Sequence, residues 1–397
     1  MTTAARRIEQ AFAHQAPDRT PIFEIFWPYQ PIYWDVAGRN MATDQGLAWD
    51  AMADGVAWEE LTEAQAKADL AMLEFFELDM VHLEYGTPRN YPRPQKTGEH
   101  TWKLNGRDYH WDDHIHLVVP THTRAEDGND ILAGASEEDF ERKVKAEADL
   151  PLPAPNLDLI ARFERLRQLA DAKGLKPVYM AEVGAGTAAA HYPVCMWMWM
   201  MEEPELYLHW LKRKKAYGMA MTEEYLKRGA TVVALGGDIS TDNGPMISPA
   251  LYTEFVLPVI QEQVALVHRY GAKAVYTSDG NHWKIKQEFF FDSGADGYKE
   301  VDYAAGMLMP RLIEEGIKDR VTIIGNVDAR QTLCLGTPEA VRQHTRACIE
   351  WGMKGNLPGG HILHTSHSVH EGVPVDNYYA MWNEYRRFFG LPEKARP

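Results

Sequence analysis

The chain has 397 residues, and apolar types make up 45 % and charged types 25 % of them, as is usual for a globular protein. Its formal net charge of −16 argues against nucleic acid and anionic lipid as partners, because those ligands are bound largely by Lys and Arg. No run is long and apolar enough for a bilayer, and the N-terminus lacks the apolar core of a signal peptide. We therefore expect a cytoplasmic protein.

The first half of the chain predicts helices, two buried strands and an insertion. Helix is predicted at 4–14 and over most of 41–76, and buried strands at 21–26 and 79–86. Residues 87–124 alternate between apolar and polar types, with Asn105-Gly106 as a hairpin signal. We interpret 87–150 as a β-rich insertion within one domain that spans 1–397.

From residue 157 onwards, strands and helices alternate regularly. Strands are predicted to begin at 177, 231, 272, 297, 321 and 361, and helices lie between them. Together with the two earlier strands this makes eight β/α units, which favours a (β/α)8 TIM barrel. A doubly wound open sheet is the alternative, weakened because no Gly-rich phosphate motif follows the first strand.

Polar side chains stand where most of these strands end, and barrel enzymes place their chemistry there. Any one of them alone is more often a solvated or capping residue, but their convergence in one cleft indicates an active site. As catalytic candidates we take Asp279, His367, Glu84, Glu182 and Asp238. As substrate-binding candidates we take Glu24, Trp27, Tyr29, His82, Tyr276, Asn326 and His364. Seven of these (Glu24, His82, Glu84, Glu182, Asp238, Asp279 and His367) are expected to line one cavity.

Histidines recur at every third position at the end of the chain, at His361, His364, His367 and His370. A loop with surface histidines explains them equally well. His367 has the strongest claim to a role, because it falls just after the eighth strand, over the barrel mouth.

Two aromatic runs follow the first and third strands. One contains Trp27 and Trp34, and the other contains Met196, Trp197 and Trp199. Such residues either wall an apolar pocket or pack as core. We expect Trp27 in the pocket and at least one of Trp197 and Trp199 in the core, since a helix cannot turn every aromatic to one side. The substrate is then expected to have an aromatic or bulky apolar part.

Several motifs of the chain occur together in one known superfamily. They begin at the N-terminus with Arg6-Arg-Ile-Glu-Gln-Ala-Phe-Ala-His-Gln-Ala-Pro-Asp-Arg-Thr-Pro-Ile22. Later they include Leu235-Gly-Gly-Asp-Ile239, Gly325-Asn-Val-Asp328 and His367-Ser-Val-His-Glu-Gly-Val-Pro374. These motifs resemble the uroporphyrinogen decarboxylase superfamily, which includes corrinoid-dependent methyltransferases. The resemblance implies a (β/α)8 barrel, in agreement with the strand count.

Departures from the family pattern indicate the branch. The Arg-rich loop that binds the carboxylates of uroporphyrinogen is replaced by an apolar segment without Arg before Arg39. In the methyltransferase branch a zinc is held by His-x-Cys after the fifth strand and a Cys after the eighth. The corresponding positions here are Thr277, Asp279 and His367. The resemblance thus implies zinc or another divalent metal on Asp279 and His367, a harder site suited to an oxygen or nitrogen substituent.

The function implied is transfer of a methyl group from a small substrate, with a methoxylated aromatic compound as first candidate, to a corrinoid on a partner protein. A decarboxylase or other lyase acting on a small carboxylate is the alternative, with Asp279 or Glu84 as proton donor. A binding barrel that has lost its chemistry is a second alternative. The sequence leaves open whether the chain forms a homo-oligomer.

Overall fold

In a computed structural model, the chain is described over residues 2–27, 30–83, 86–121, 137–147, 150–184 and 192–397. The strands, in chain order, are β1 (Phe23–Glu24), β2 (Met80–Leu83), β3 (Gln95–Gly98), β4 (Thr101–Leu104), β5 (Arg107–Asp112), β6 (Leu117–Pro120), β7 (Val178–Gly184), β8 (Val232–Gly236), β9 (Ser240–Thr241), β10 (Gly244–Pro245), β11 (Lys273–Thr277), β12 (Gly297–Lys299), β13 (Thr322–Ile324) and β14 (His361–Ile362). No described helix is both long and apolar enough to cross a membrane.

The helices, in chain order, are α1 (Ala4–Phe12), α2 (Pro31–Ala37), α3 (Gln45–Asp54), α4 (Trp58–Phe76), α5 (Glu137–Ala146), α6 (Ala161–Ala172), α7 (Val194–Glu202), α8 (Pro204–Lys227), α9 (Pro249–Leu251), α10 (Leu257–Arg269), α11 (Met309–Glu314), α12 (Pro338–Gly352) and α13 (Val375–Phe388). Short 3₁₀ or π turns occupy Leu157–Ile160, Tyr252–Val256, Trp283–Ile285, Gln287–Asp292 and Ala329–Leu333.

Eight parallel strands form the central sheet in the order β1-β2-β7-β8-β11-β12-β13-β14. Its two edges are joined, because the amide of Phe23 donates to the carbonyl of Leu363 (3.0 Å) and the amide of Leu363 donates to that of Pro21 (2.8 Å). The helices surround this closed sheet. The predicted (β/α)8 barrel is confirmed, and the open doubly wound sheet is wrong.

The barrel interior has an apolar lower layer. Strand register places Met80 beside Phe23, and Val178 beside Met80, so these side chains share the inner face. Helix α1 closes the N-terminal end of the barrel, since Ile8, Ala11 and Phe12 join the same buried cluster. The amide of Gly360 donates to the carbonyl of Ala11 (3.1 Å), which ties this helix to the start of β14.

The upper layer of the interior is polar. Three polar residues follow the apolar layer on their strands. His82, Glu182 and Thr277 each lie two positions after an apolar residue of that layer (Met80, Met180 and Val275), so they face the same side. Lys299, at the end of β12, is in register with Thr277. Ionisable groups thus lie directly above an apolar plug.

Residues 95–120 form a separate four-stranded antiparallel sheet, β3-β4-β5-β6. Its hairpin turn at Asn105-Gly106 has positive φ at both positions (49° and 82°), the type I′ geometry that this dipeptide favours. Trp102 and Trp111 of the sheet pack on Trp49 of α3.

Candidate active site

A cavity of about 270 Å³ opens at the carboxyl ends of the barrel strands. Barrel enzymes place their chemistry at this end, because loops from all strands meet there. The residues that line the cavity are Asp279, Asp302, Ala329, Arg330, Ser366, His367 and His370. Of the seven residues expected to line one cavity, Asp279 and His367 do so.

Asp279 and His367 form an acid–base pair at the cavity wall. The Nε2 atom of His367 lies 3.3 Å from Oδ2 of Asp279. Asp279 follows β11 and precedes Gly280, whose φ of +84° and close approach to the backbone of Ser240 leave no room for a Cβ atom. His367 lies in the loop after β14. The ends of two non-adjacent strands therefore deliver the pair.

The pKa values of both groups are raised, but for different reasons. Burial raises the pKa of Asp279 to about 6, and the nearby charges of Glu300 and Asp238 add to this rise, while His367 opposes it. The hydrogen bond with Asp279 raises the pKa of His367 to about 9 against the effect of burial. At neutral pH the pair is therefore an aspartate beside an imidazolium that can donate a proton into the cavity.

Arg330 lies beside the pair, and three of its five N–H donors are already engaged. Its guanidinium donates two hydrogen bonds to Asp242 (2.8 and 3.0 Å) and one to Asp302 (2.8 Å). These carboxylates neutralise the charge of the arginine in the cavity wall. Arg330, Asp302 and Ser366 were missed, although each lies in a loop that follows a barrel strand.

A cluster of charged side chains spans the barrel below the mouth. The Nζ atom of Lys299 lies 3.1 Å from Oε2 of Glu182 and 2.7 Å from Oε1 of Glu300. His82 Nε2 lies 3.0 Å from the same Oε2 atom of Glu182. Burial favours the neutral form of Glu182, but Lys299 and His82 together lower its pKa. We call His82, Glu182, Lys299 and Glu300 the floor cluster.

Glu24 and His364 lie deeper and pair with each other. Oε1 of Glu24 is 2.8 Å from Nδ1 of His364 and accepts a hydrogen bond from Thr365 (2.8 Å). Glu24 and His82 line a separate cavity of about 30 Å³, which has room for a water molecule. Among the described residues expected to share one cavity, Glu24 and His82 therefore line one cavity, and Asp279 and His367 line another.

Two substrate-binding candidates are packing residues, which corrects the prediction. Tyr276 is buried, with its hydroxyl 2.8 Å from that of Tyr252 and its ring stacked on Phe289. Asn326 is buried, and its side-chain amide donates to the carbonyl of Met307 (3.0 Å). Both polar groups have hydrogen-bond partners within the protein, so we assign these two residues a structural role.

The remaining candidates differ in position. Asp238 is half-buried just after β8, and its charge acts on Asp279, so both lie at the same end of the barrel. Trp27 is 37 % exposed, and its ring centroid is 6.3 Å from that of His370, a residue of the cavity wall. Tyr29 and Glu84 lie outside the described residues.

The described residues supply an incomplete ligand set for a metal. They contain no group of three or more His, Cys, Asp and Glu side chains arranged to hold an ion. Catalytic zinc takes three protein ligands, whereas Asp279 and His367 provide two. Metal at this pair stays a prediction, and we derive no chemical step from it.

Trp199 is a core residue, whereas Trp27 lies partly exposed near the cavity wall, and its place in the pocket stays a prediction. We predict that Trp27→Ala weakens ligand binding by about 1–3 kcal/mol and leaves the melting temperature near that of the wild type. Trp199 is 3 % exposed and stacks on Phe140, so Trp199→Ala should cost about 3–5 kcal/mol of stability. Thermal melts and ligand titrations of both variants check this. A Trp27 variant that melts early but binds normally would assign this side chain to the core.

Comparisons with known proteins agree with the fold. The model of the uroporphyrinogen decarboxylase (URO-D) family matches residues 163–388, more than half of the chain. A methyltransferase from Methanosarcina mazei is similar, with a TM-score of 0.66 and 17 % identity over 98 % of this chain and 100 % of that one. A β-glycosidase from Thermosphaera aggregans has a TM-score of 0.43 and 10 % identity over 95 % and 98 %. No protein in the curated set matches. At such identities the likeness concerns the fold alone.

Proposed function

Since the chain belongs to the uroporphyrinogen decarboxylase family, we propose that it is a methyltransferase that moves a methyl group from a small methoxylated molecule to a corrinoid carried by another protein. One observation carries the proposal. A protonated histidine, paired with a half-buried aspartate, faces a cavity at the reactive end of a barrel. Such a group can give a proton to an oxygen that leaves a carbon atom.

His367 is the proton donor in this mechanism. As the bond between the methyl carbon and the ether oxygen breaks, the methyl group passes to the acceptor, and the oxygen keeps the bonding electrons. The oxygen then takes the proton from His367 and leaves as a hydroxyl group. Asp279, at 3.3 Å, orients the ring and stabilises its positive charge until the proton is given up.

The corrinoid would supply a strong nucleophile for the methyl group when it is bound. Pockets for drug-sized ligands occupy roughly 300–1,000 Å³. This cavity of about 270 Å³ is too small for a macrocycle and holds a single-ring molecule instead. The acceptor must therefore reach the methyl group from outside, which is consistent with a corrinoid held by a separate protein.

A tetrapyrrole or other polyanion is a poor candidate substrate for this cavity. Its arginine, Arg330, is already bound by Asp242 and Asp302. A substrate carboxylate that approached this arginine would lie beside two carboxylates that already neutralise its charge. The rim offers the apolar face of Trp27 instead.

A carboxy-lyase is the second candidate, and the raised pKa of Asp279 is the observation in its favour. With a pKa of about 6 this carboxyl group can deliver a proton to a carbanion left by loss of CO2. The two carboxylates already paired with Arg330 weigh against it, because they repel a carboxylate substrate.

The proposal is tested by incubating the protein with free cob(I)alamin and a panel of methoxylated aromatic compounds. We expect the visible absorbance of cob(I)alamin to change, with one demethylated product formed for each cobalamin methylated. Release of CO2 from aromatic acids without cobalamin methylation would favour the lyase. Ligand binding without either reaction would favour the binding barrel.

A further inference from the structure

Lys299 is the most deeply buried charge of the floor cluster. Its side chain is 0 % exposed, and its ammonium group lies within 3.1 Å of one carboxylate and 2.7 Å of another. An unpaired ammonium group costs several kcal/mol to bury, so both carboxylates are needed to keep it charged. Because these partners enclose it, Lys299 does not contact the cavity and acts only by holding other groups.

Glu182 is the group that Lys299 holds. The strand order separates β12 from β7 by two strands, so the contact crosses the barrel interior. Both Lys299 and His82 approach the same oxygen, Oε2 of Glu182. The other oxygen remains as an acceptor, and the side chain of Glu182 is 37 % exposed while Lys299 below it is not. The carboxylate is therefore held by Lys299 and His82 on one oxygen and is partly open to solvent.

Carboxylates outnumber cations around this opening. Asp238 and Glu300 both act electrostatically on Asp279, and Asp242 and Asp302 share one arginine. Against these stand Lys299, Arg330 and the imidazolium of His367. An anionic ligand would meet net repulsion here, whereas a donor group would meet an acceptor that is already in place.

We propose that Lys299 is a positioning residue that holds Glu182 as the acceptor for a hydrogen-bond donor on the substrate, so that the site selects a neutral or cationic molecule bearing a hydroxyl or amino group and rejects a carboxylate. This inference rests on the proposed function for the type of molecule bound. It is independent of whether methyl transfer takes place.

Binding of three single-ring probes, measured by calorimetry without an acceptor, tests the inference. The probes are 2-methoxyphenol, 1,2-dimethoxybenzene and 2-methoxybenzoate, which carry a donor, no donor and a negative charge. We expect the wild type to bind 2-methoxyphenol at least tenfold more tightly than 1,2-dimethoxybenzene and to bind 2-methoxybenzoate most weakly. A carboxylate pre-positioned in a buried site gives discrimination of this size.

Three variants test whether Glu182 and Lys299 cause the preference for the probe with a hydrogen-bond donor. In Glu182→Gln the single oxygen stays with Lys299, so the amide nitrogen faces the mouth and the preference for the donor should disappear. Lys299→Met should also abolish it, and Lys299→Arg should restore part of it.

The matched control is Lys318→Met, which removes another fully buried lysine. Lys318 donates to the carbonyl of Gly359 (2.5 Å), before the start of β14 and therefore at the opposite end of the barrel. Its loss should lower stability and leave the ranking unchanged.

Equal wild-type affinity for the two neutral probes would overturn the inference, and so would an absence of binding by all three. An unchanged ranking in Lys299→Met would show that this lysine is only structural. If that variant does not fold, Glu182→Gln and Lys299→Arg decide. Failure of the proposed function would show differently, as an intact ranking of probes without methylation of cobalamin.

Discussion

His367→Ala and Asp279→Ala should each lower kcat by about three powers of ten or more and leave the fold intact. A positioned general acid contributes roughly 10²–10⁴ to the rate, and removal of its aspartate leaves the ring misoriented and less basic. Both side chains belong to loops beyond the strand ends, so their loss opens no hole in the core. Steady-state rates with cob(I)alamin, beside thermal melts, provide the measurement.

The chain offers a matched control for this experiment. His268 and Asp296 form another histidine–aspartate pair, with Nε2 and Oδ2 2.8 Å apart. His268 lies at the end of α10, just before β11 begins, and so at the closed end of the barrel. His268→Ala should retain the wild-type rate. A His367 variant with normal turnover would remove this residue from the mechanism.

The rate should also depend on pH in two limbs. The productive state has Asp279 ionised and His367 protonated, so activity should fall as pH drops below about 6, where the aspartate takes up a proton. It should fall again above about 9, where the imidazolium loses its proton. Each limb is expected to change the rate by roughly tenfold per pH unit. Because the groups interact, the two limits belong to the pair.

A profile of kcat against pH checks this, with Asp279→Asn as the diagnostic variant. An amide at this position removes the acidic limb and no longer holds the positive charge, so the basic limb should move to lower pH. A profile that is flat from pH 5 to pH 10 would contradict the assignment of His367 as proton donor.

The barrel could be predicted because its signals are local and repeated. Ser248 and Thr337 cap helices before a proline, and the structure shows both hydroxyls accepting from the amide three residues on. The seven-residue helix α2 was missed, since Pro31 and the aromatic residues after it resemble a loop as closely as a first helical turn. Tertiary packing decides such short elements.

The site could be predicted only in part, because position on a strand does not state the direction of a side chain. Asp279 and Tyr276 both stand near the end of β11, yet one faces the cavity and the other faces the helices. Lys299 was missed, as a lysine in a strand is usually a solvated residue. Its partner, Glu182, lies 117 positions earlier in the sequence. Only the closed barrel brings the ammonium group of Lys299 to 3.1 Å from that carboxylate.

Helix α1 closes the lower end of the barrel. With Ile8, Ala11 and Phe12 packed there, the described residues leave the mouth as the route to the cavity for donor and acceptor alike. A bulky acceptor protein placed over the mouth, as the proposed function requires, would block entry of the small donor beneath it. We therefore expect ordered binding, donor first, with the demethylated product leaving only after the acceptor departs. An excess of acceptor should accordingly inhibit turnover by occupying the empty barrel.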